Sequence, residues 1–333
     1  MELNTGRMSH RSAVTLMLLV TLLWSIAGVV TRHLETADSF AVTFWRSLFN
    51  ALALGGVLTL RRGSGLWIGL TRAPWPVWFS GACWAVMFTA FMIALTLTSV
   101  ANVLLTMAIG PLITALFTRL FLHHRLPART WFAIAIAGMG IAWMFGHDTQ
   151  GNTSTGGTLV ALAVPLAAAL NFTTLQYAGL RSADKRADQR QGHDMLPAVL
   201  IGAIVSSLCM LPLAHPLQAS AHDLALLAIL GVFQLAIPCL LLVRVSQVLP
   251  AAEIALLGLL EVIFGVTWAW LGAGETPAMT TLAGGALVLA ALLSNEALPL
   301  LGGRARRLPA PAPSSSHLLR QPGENNDVRQ HSR

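Results

Sequence analysis

Long apolar runs set what this chain can fold into. A helix needs about 20 apolar residues to cross the roughly 30 Å hydrocarbon core of a bilayer. Ten runs approach that length, at about 12–31, 39–60, 75–97, 100–122, 130–146, 157–180, 195–214, 223–243, 251–272 and 277–297. Only 11% of residues are charged and 55% are hydrophobic, against about 25% charged in soluble domains. The 333 residues are therefore not two soluble domains. The first run follows Arg7 and Arg11, as in a signal peptide, but it is of spanning length and lacks a small-x-small cleavage site. It reads as a retained helix. The expected fold is an all-α polytopic membrane protein with ten transmembrane helices.

The charges fix an orientation. Lys and Arg accumulate in cytoplasmic loops. With the N-terminus inside, the inner connections carry Arg61, Arg62, Arg72, Arg119, Arg125, Arg129, Arg181, Lys185, Arg186, Arg190 and Arg244, while the outer ones carry Arg32 beside Glu35, Asp38, Asp148, Asp223 and Glu275. Both termini are then cytoplasmic. The net charge of +7, which in a soluble domain suggests nucleic acid, is here a topology signal, and no nucleic-acid partner is expected. Beyond Leu301 the chain turns rich in Pro, Ser and Arg, so 302–333 is expected to be a disordered cytoplasmic tail. Its Arg304, Arg306 and Arg307 either meet anionic membrane lipid or simply anchor the last helix.

The two halves of the chain are related. Shifted by 151 residues, Gly110–His124 lies over Glu261–Glu275, each stretch closing an apolar helix at a polar turn. Five helices per half turn the second copy upside down, an inverted-topology repeat. At this point the sequence resembles the EamA-like branch of the drug/metabolite transporter superfamily. In that family the fourth helix of each repeat carries an apolar-(Glu)-Pro-apolar segment ending in Gly-Glu. The first copy keeps Pro111 but has Gly110 for the Glu and His123-His124 for Gly-Glu; the second keeps Glu261, Gly274 and Glu275 but has Val262 for the Pro. Trp24-Ser25 and Phe44-Trp45-Arg46 are further similar features. The resemblance implies ten helices in two inverted five-helix repeats, 12–146 and 157–297, and a secondary transporter of the bacterial inner membrane. It also implies export of a small metabolite, such as an amino acid or related compound, by alternating access.

Ionisable groups at mid-membrane cost at least about 2.5–3.5 kcal/mol on insertion scales, so each needs a partner or a role. Two lie well inside a span, Arg46 and Glu261. Either they neutralise each other, or Arg46 is held by backbone carbonyls and lines no pathway. Alternatively Glu261 accepts the coupling proton and Arg46 anchors an anionic substrate group. Asn102, Thr106, Gly110 and Thr114 form one i+4 row, and Glu253, Leu257, Glu261 and Gly265 the matching row in the ninth span. Both rows are expected to face inward, with small-residue packing as the other explanation.

Trp24, Trp84, Asn102, Asn171 and Gln234 are expected to line a central cavity, although core packing and interhelical hydrogen bonds explain the same residues. Pro111, Pro165 and Pro238 each remove a backbone donor and loosen the preceding turn, as a hinge or merely as a tolerated kink. Cys83, Cys209 and Cys239 stand singly, His123 and His124 make a poor metal site, and no P-loop occurs, so neither metal, cofactor nor direct ATP use is expected. Asn152-Thr153-Ser154 fits a glycosylation acceptor, a pattern common by chance. A membrane-embedded enzyme or lipid-handling protein, or a non-transporting sensor that uses the tail, is the alternative reading.

Overall fold

Apolar runs of this length satisfy their own peptide groups as helices, and the computed structural model is built in that way. It describes residues 8–122, 155–185 and 195–277, with isolated positions between 132 and 143 and between 279 and 291. All regular elements among the described residues are helical. The fifth run, the tail 302–333, His123-His124 and the Asn152 acceptor lie outside them or nearly so, as does about half of the tenth run.

Helix α1 (His10–Thr31) starts at Ser9, whose hydroxyl accepts the Ser12 amide. Asp38 caps α2 (Ser39–Arg62) through the Ala41 amide at 2.7 Å, and Gly63, at φ 65°, ends it. Only glycine takes that conformation without strain. A short helix α3 (Gly65–Thr71), not anticipated from the runs, leads into α4 (Trp75–Leu97). Then follow α5 (Val100–Met107), α6 (Gly110–Leu122), α7 (Thr155–Lys185) and α8 (Leu196–Met210). The last are α9 (Ala221–Ile229), a π-helical segment (Leu230–Ala236), α10 (Ile237–Val245), α11 (Ala251–Gly258) and α12 (Leu260–Ala273). Among the described residues seven spans are long and apolar enough to cross a membrane, while Leu196–Met210 and Leu282–Ala291 are shorter apolar helices.

Three runs expected as continuous helices are interrupted. The fourth run breaks between α5 and α6, where Pro111 cannot donate to Met107 and its ring crowds that carbonyl. The Leu112 amide turns instead to Ile109 at 3.0 Å. The ninth run breaks at Leu259, and there the Val262 amide bonds Leu259 at 3.1 Å although no proline is present. The two breaks are at corresponding places under the 151-residue shift. In the eighth run Pro238 cannot donate to Gln234, and the Ile237 amide reaches back five residues to Val232, widening the turn into the π segment.

Packing follows one scheme in both halves. Helix α1 lies on α10, α12 and the π segment, whereas α7 lies on α4, α5 and α6; α5 crosses α12, and α6 crosses α11. Helix α2 meets α8 and the π segment, and α8 meets α4. Each contact has its counterpart when helices of the first half are exchanged for those of the second. Glycine permits a close crossing of α8 on α4: a Cβ on Gly202 would sit 3.0 Å from the Gly81 carbonyl and would strike Trp84. The buried apolar residues divide into two main clusters, one around Met17, Leu58, Leu200 and Ile254, the other around Leu95, Val103, Leu227 and Val262.

Candidate substrate cavity

A two-lobed cavity draws its walls from both clusters. One lobe, of about 410 Å³, is bounded by Trp24 of α1, Arg46 of α2, Trp84, Phe88 and Phe91 of α4, Gln234 of the π segment, Cys239 of α10 and Glu261 of α12. The other, of about 610 Å³, lies at the helix breaks, against Gly110, Pro111 and Thr114 of α6, Pro165 of α7 and Gly258 of α11. Trp24, Met87, Met107, Val164 and Glu261 border both lobes. Glu261 thus stands where they join.

Arg46 is fully buried. Its Nη1 donates to Gln234 Oε1 at 3.1 Å, its Nη2 donates to the Phe88 carbonyl at 2.7 Å, and its guanidinium lies 5.8 Å from the Phe91 ring centroid. Nε has no partner. Both acceptors are neutral, so the buried positive charge is solvated by dipoles and a ring face while no carboxylate among the described residues pairs with it. Glu261, 8% exposed, makes no ion pair and accepts no hydrogen bond among the described residues. Of the two structural alternatives for Arg46, mutual neutralisation with Glu261 is not realised. A backbone carbonyl does hold Arg46, yet Arg46 also lines the cavity.

The π segment explains how Gln234 reaches Arg46. A widened turn shifts the side chains that follow by one position, and here it sets Gln234 toward Arg46 and, at 3.5 Å, the Trp24 carbonyl. Trp84 stacks obliquely on Phe88, with ring centroids 5.4 Å apart, and its indole N–H has no partner. Aromatic and methionine surfaces therefore surround the Arg46 guanidinium and the Glu261 carboxyl group, a setting that can hold an organic molecule by dispersion while the polar groups orient it.

Of the residues singled out in the sequence, Arg46, Glu261, Trp24, Trp84, Gln234, Pro111 and Pro165 come together at this cavity. Three do not border it. Asn102 donates to Thr158 at 2.9 Å and Thr98 at 3.1 Å, clasping α5 to α7. Asn171 accepts from Ser80 at 2.6 Å, tying α7 to α4. Pro238 is buried behind the π segment it creates. The i+4 row of the fourth span divides at the break: Gly110 and Thr114 face the cavity, whereas Asn102 and Thr106 do not.

Residues that sequence reasoning left as loop charges prove to be anchors. Asp223, fully buried, accepts from the amides of Glu35, Thr36 and Ala37 and from the Thr36 hydroxyl at 2.6–3.0 Å. It joins the α1–α2 connection to α9. Its one sequence signal is Ser220, the cap three residues earlier. Asn50, one turn beyond Arg46, is buried with both side-chain polar atoms unpartnered and went unnoticed.

Among the described residues, seven spans long and apolar enough to cross a membrane surround a buried cavity, as in a multi-pass membrane protein. Residues 11–146 match the model of the EamA-like transporter family. The Pseudopaline exporter CntI of Pseudomonas aeruginosa, from strain UCBPP-PA14 and equally from the PAO1 strain, is 22% identical over 289 residues, which cover 85% of this chain and 95% of that protein. A solved crystal structure shares the fold with a TM-score of 0.59 at 20% identity, covering 87% of this chain and 98% of its own.

Proposed function

We propose that this protein is a secondary exporter of the bacterial inner membrane, with both termini cytoplasmic and ten helices in two inverted repeats, 12–146 and 157–297. The matching helix breaks and the exchangeable packing scheme support the repeats. The similarity to an exporter supports the direction of transport. The cargo is a small metabolite, an amino acid or related compound, moved by alternating access between the repeats.

One observation carries the reading: Arg46 and Glu261 line one cavity and are not paired with each other. A pre-formed site with two separated opposite charges recognises a molecule that bears both an anionic and a cationic group. Arg46 takes the anionic group through its unpartnered Nε side. Glu261 takes the cation or, when the cation leaves, a proton, which couples export to the proton gradient. Trp24 and Trp84 pack against the apolar part.

The test is Glu261→Gln in proteoliposomes with and without a pH gradient. Loss of gradient-driven flux with retained exchange in the absence of a gradient supports proton coupling. Unchanged flux and unchanged pH dependence eliminate it.

A further inference from the structure

Arg32 and Glu275 are 243 positions apart in the chain and meet at the end of α1. Arg32 Nε donates to Glu275 Oε2 at 2.8 Å. Its Nη1 donates to the Leu95 carbonyl and its Nη2 to the Thr98 carbonyl, both at 2.9 Å. Glu275 Oε1 accepts the Val100 amide at 2.7 Å. The two side chains are only 29% and 20% exposed.

These bonds join two groups of helices that also meet where α5 crosses α12. Arg32 follows α1 and Glu275 follows α12, which lie together; Leu95, Thr98 and Val100 belong to the α4–α5 junction, packed on α7. Thr98 itself is extended, at φ −150° and ψ 179°, so α4 and α5 are separate helices and the carbonyls at the junction point out to be bound. Leu95 lies one turn beyond Phe91, which lines the cavity lobe that holds Arg46. Four charge-assisted bonds thus tie the ends of α1 and α12 to the α4–α5 junction, one turn along α4 from that lobe. Such bonds are roughly twice as strong as neutral ones.

The pairing at the other end of α1 is of a different kind. His10 Nε2 lies 2.9 Å from Glu253 of α11, but this contact stays within the α1–α11–α12 group and does not cross between groups. The sequence places His124 where the second copy has Glu275.

We propose that Arg32 and Glu275 are the gating residues that latch the outer mouth of the cavity, and that their separation opens it to the outside. The proposal rests on the transporter reading and on the orientation given above. In this conformation the latch is closed, and the cavity loads from the cytoplasm. The ion pair has to break in every cycle, and the Leu95 and Thr98 carbonyls and the Val100 amide then pass to water.

Accessibility tests this without any knowledge of the substrate. Cys239 borders the Arg46 lobe and is buried. With Cys83→Ala and Cys209→Ser, it becomes the single reporter for a membrane-impermeant thiosulfonate applied to right-side-out and inside-out vesicles. Arg32→Ala and, separately, the nearly isosteric Glu275→Gln are expected to raise labelling from the outside, Arg32→Ala by about tenfold or more, and to lower it from the inside.

Exchanging the charges, Arg32→Glu with Glu275→Arg, is expected not to restore protection. It sets a carboxylate against the Leu95 and Thr98 carbonyls and a cation against the Val100 amide. Unchanged labelling, a rise from both sides, a rise confined to the inner side, or full rescue by the exchange overturns the latch. Flux is measured in parallel: switched accessibility with no flux of any metabolite leaves the latch standing and refutes the transporter reading.

Discussion

Arg46→Gln separates what this residue does for the fold from what it does for the cargo. The substitution leaves a neutral donor for one of the two acceptors, Gln234 Oε1 and the Phe88 carbonyl, and orphans the other. An orphaned buried acceptor costs about 1–3 kcal/mol. Against that, removal of an unpaired charge from mid-membrane releases at least about 2.5–3.5 kcal/mol on insertion scales. The two nearly cancel, so folding stability is expected to change by less than about 2 kcal/mol. The cargo loses a charge-assisted bond worth about 1.5–3 kcal/mol, equivalent to a roughly 10–150-fold fall in apparent affinity. The assay pairs two measurements, the fraction of monodisperse protein surviving a heating series and the concentration dependence of efflux from vesicles. Undiminished efflux from a normally folded variant refutes the anion-anchoring role. Recovery of no monodisperse protein also refutes it, because Arg46 would then be a structural keystone.

Other substitutions probe the frame of the site. Gly202→Ala places a methyl group against the Gly81 carbonyl and Trp84 with no flexible neighbour to yield; a loss of about 1–3 kcal/mol is expected, together with weaker transport as Trp84 is displaced, measured by heating and efflux. Asp223→Ala removes four hydrogen bonds at the α1–α2 connection. At about 1.5–3 kcal/mol for a bond to a charged group, and without additivity, it is expected to lower stability more than any other substitution considered. A thermal midpoint equal to that of the unsubstituted protein contradicts the anchoring role. Asn102→Ala loses the clasp to Thr158, worth about 0.6 kcal/mol for an interhelical bond in a membrane, and is expected to keep its efflux because Asn102 does not border the cavity.

The spans were legible because burial in lipid demands long apolar runs, a constraint that acts on composition alone. Arg46 and Glu261 were legible for the same reason inverted, as ionisable groups in segments that exclude them. Helical periodicity gave a face for each residue but not the neighbour on it. Asn102 and Asn171 therefore could not be told from cavity residues, and their partners Thr158 and Ser80 lie 56 and 91 residues away. The breaks shift the face within one span, as at Ala108–Ile109, and a periodic row drawn through them fails. Pro238 signalled a loosened turn, while the π geometry and the delivery of Gln234 to Arg46 depend on how α2 packs there. Arg32, Glu275 and Asp223 carried only the information that they are charges near span ends. Their pairings, over 243 residues in one case, are set by the tertiary fold.

The most direct test compares the metabolites released into the medium by cells expressing the unsubstituted protein, the Arg46→Gln, Glu261→Gln double variant, or neither. The expected result is that compounds with both an anionic and a cationic group accumulate outside only the cells with the unsubstituted protein. Identical media from all three, or equal accumulation with the double variant, would contradict a cavity that exports through these two charges.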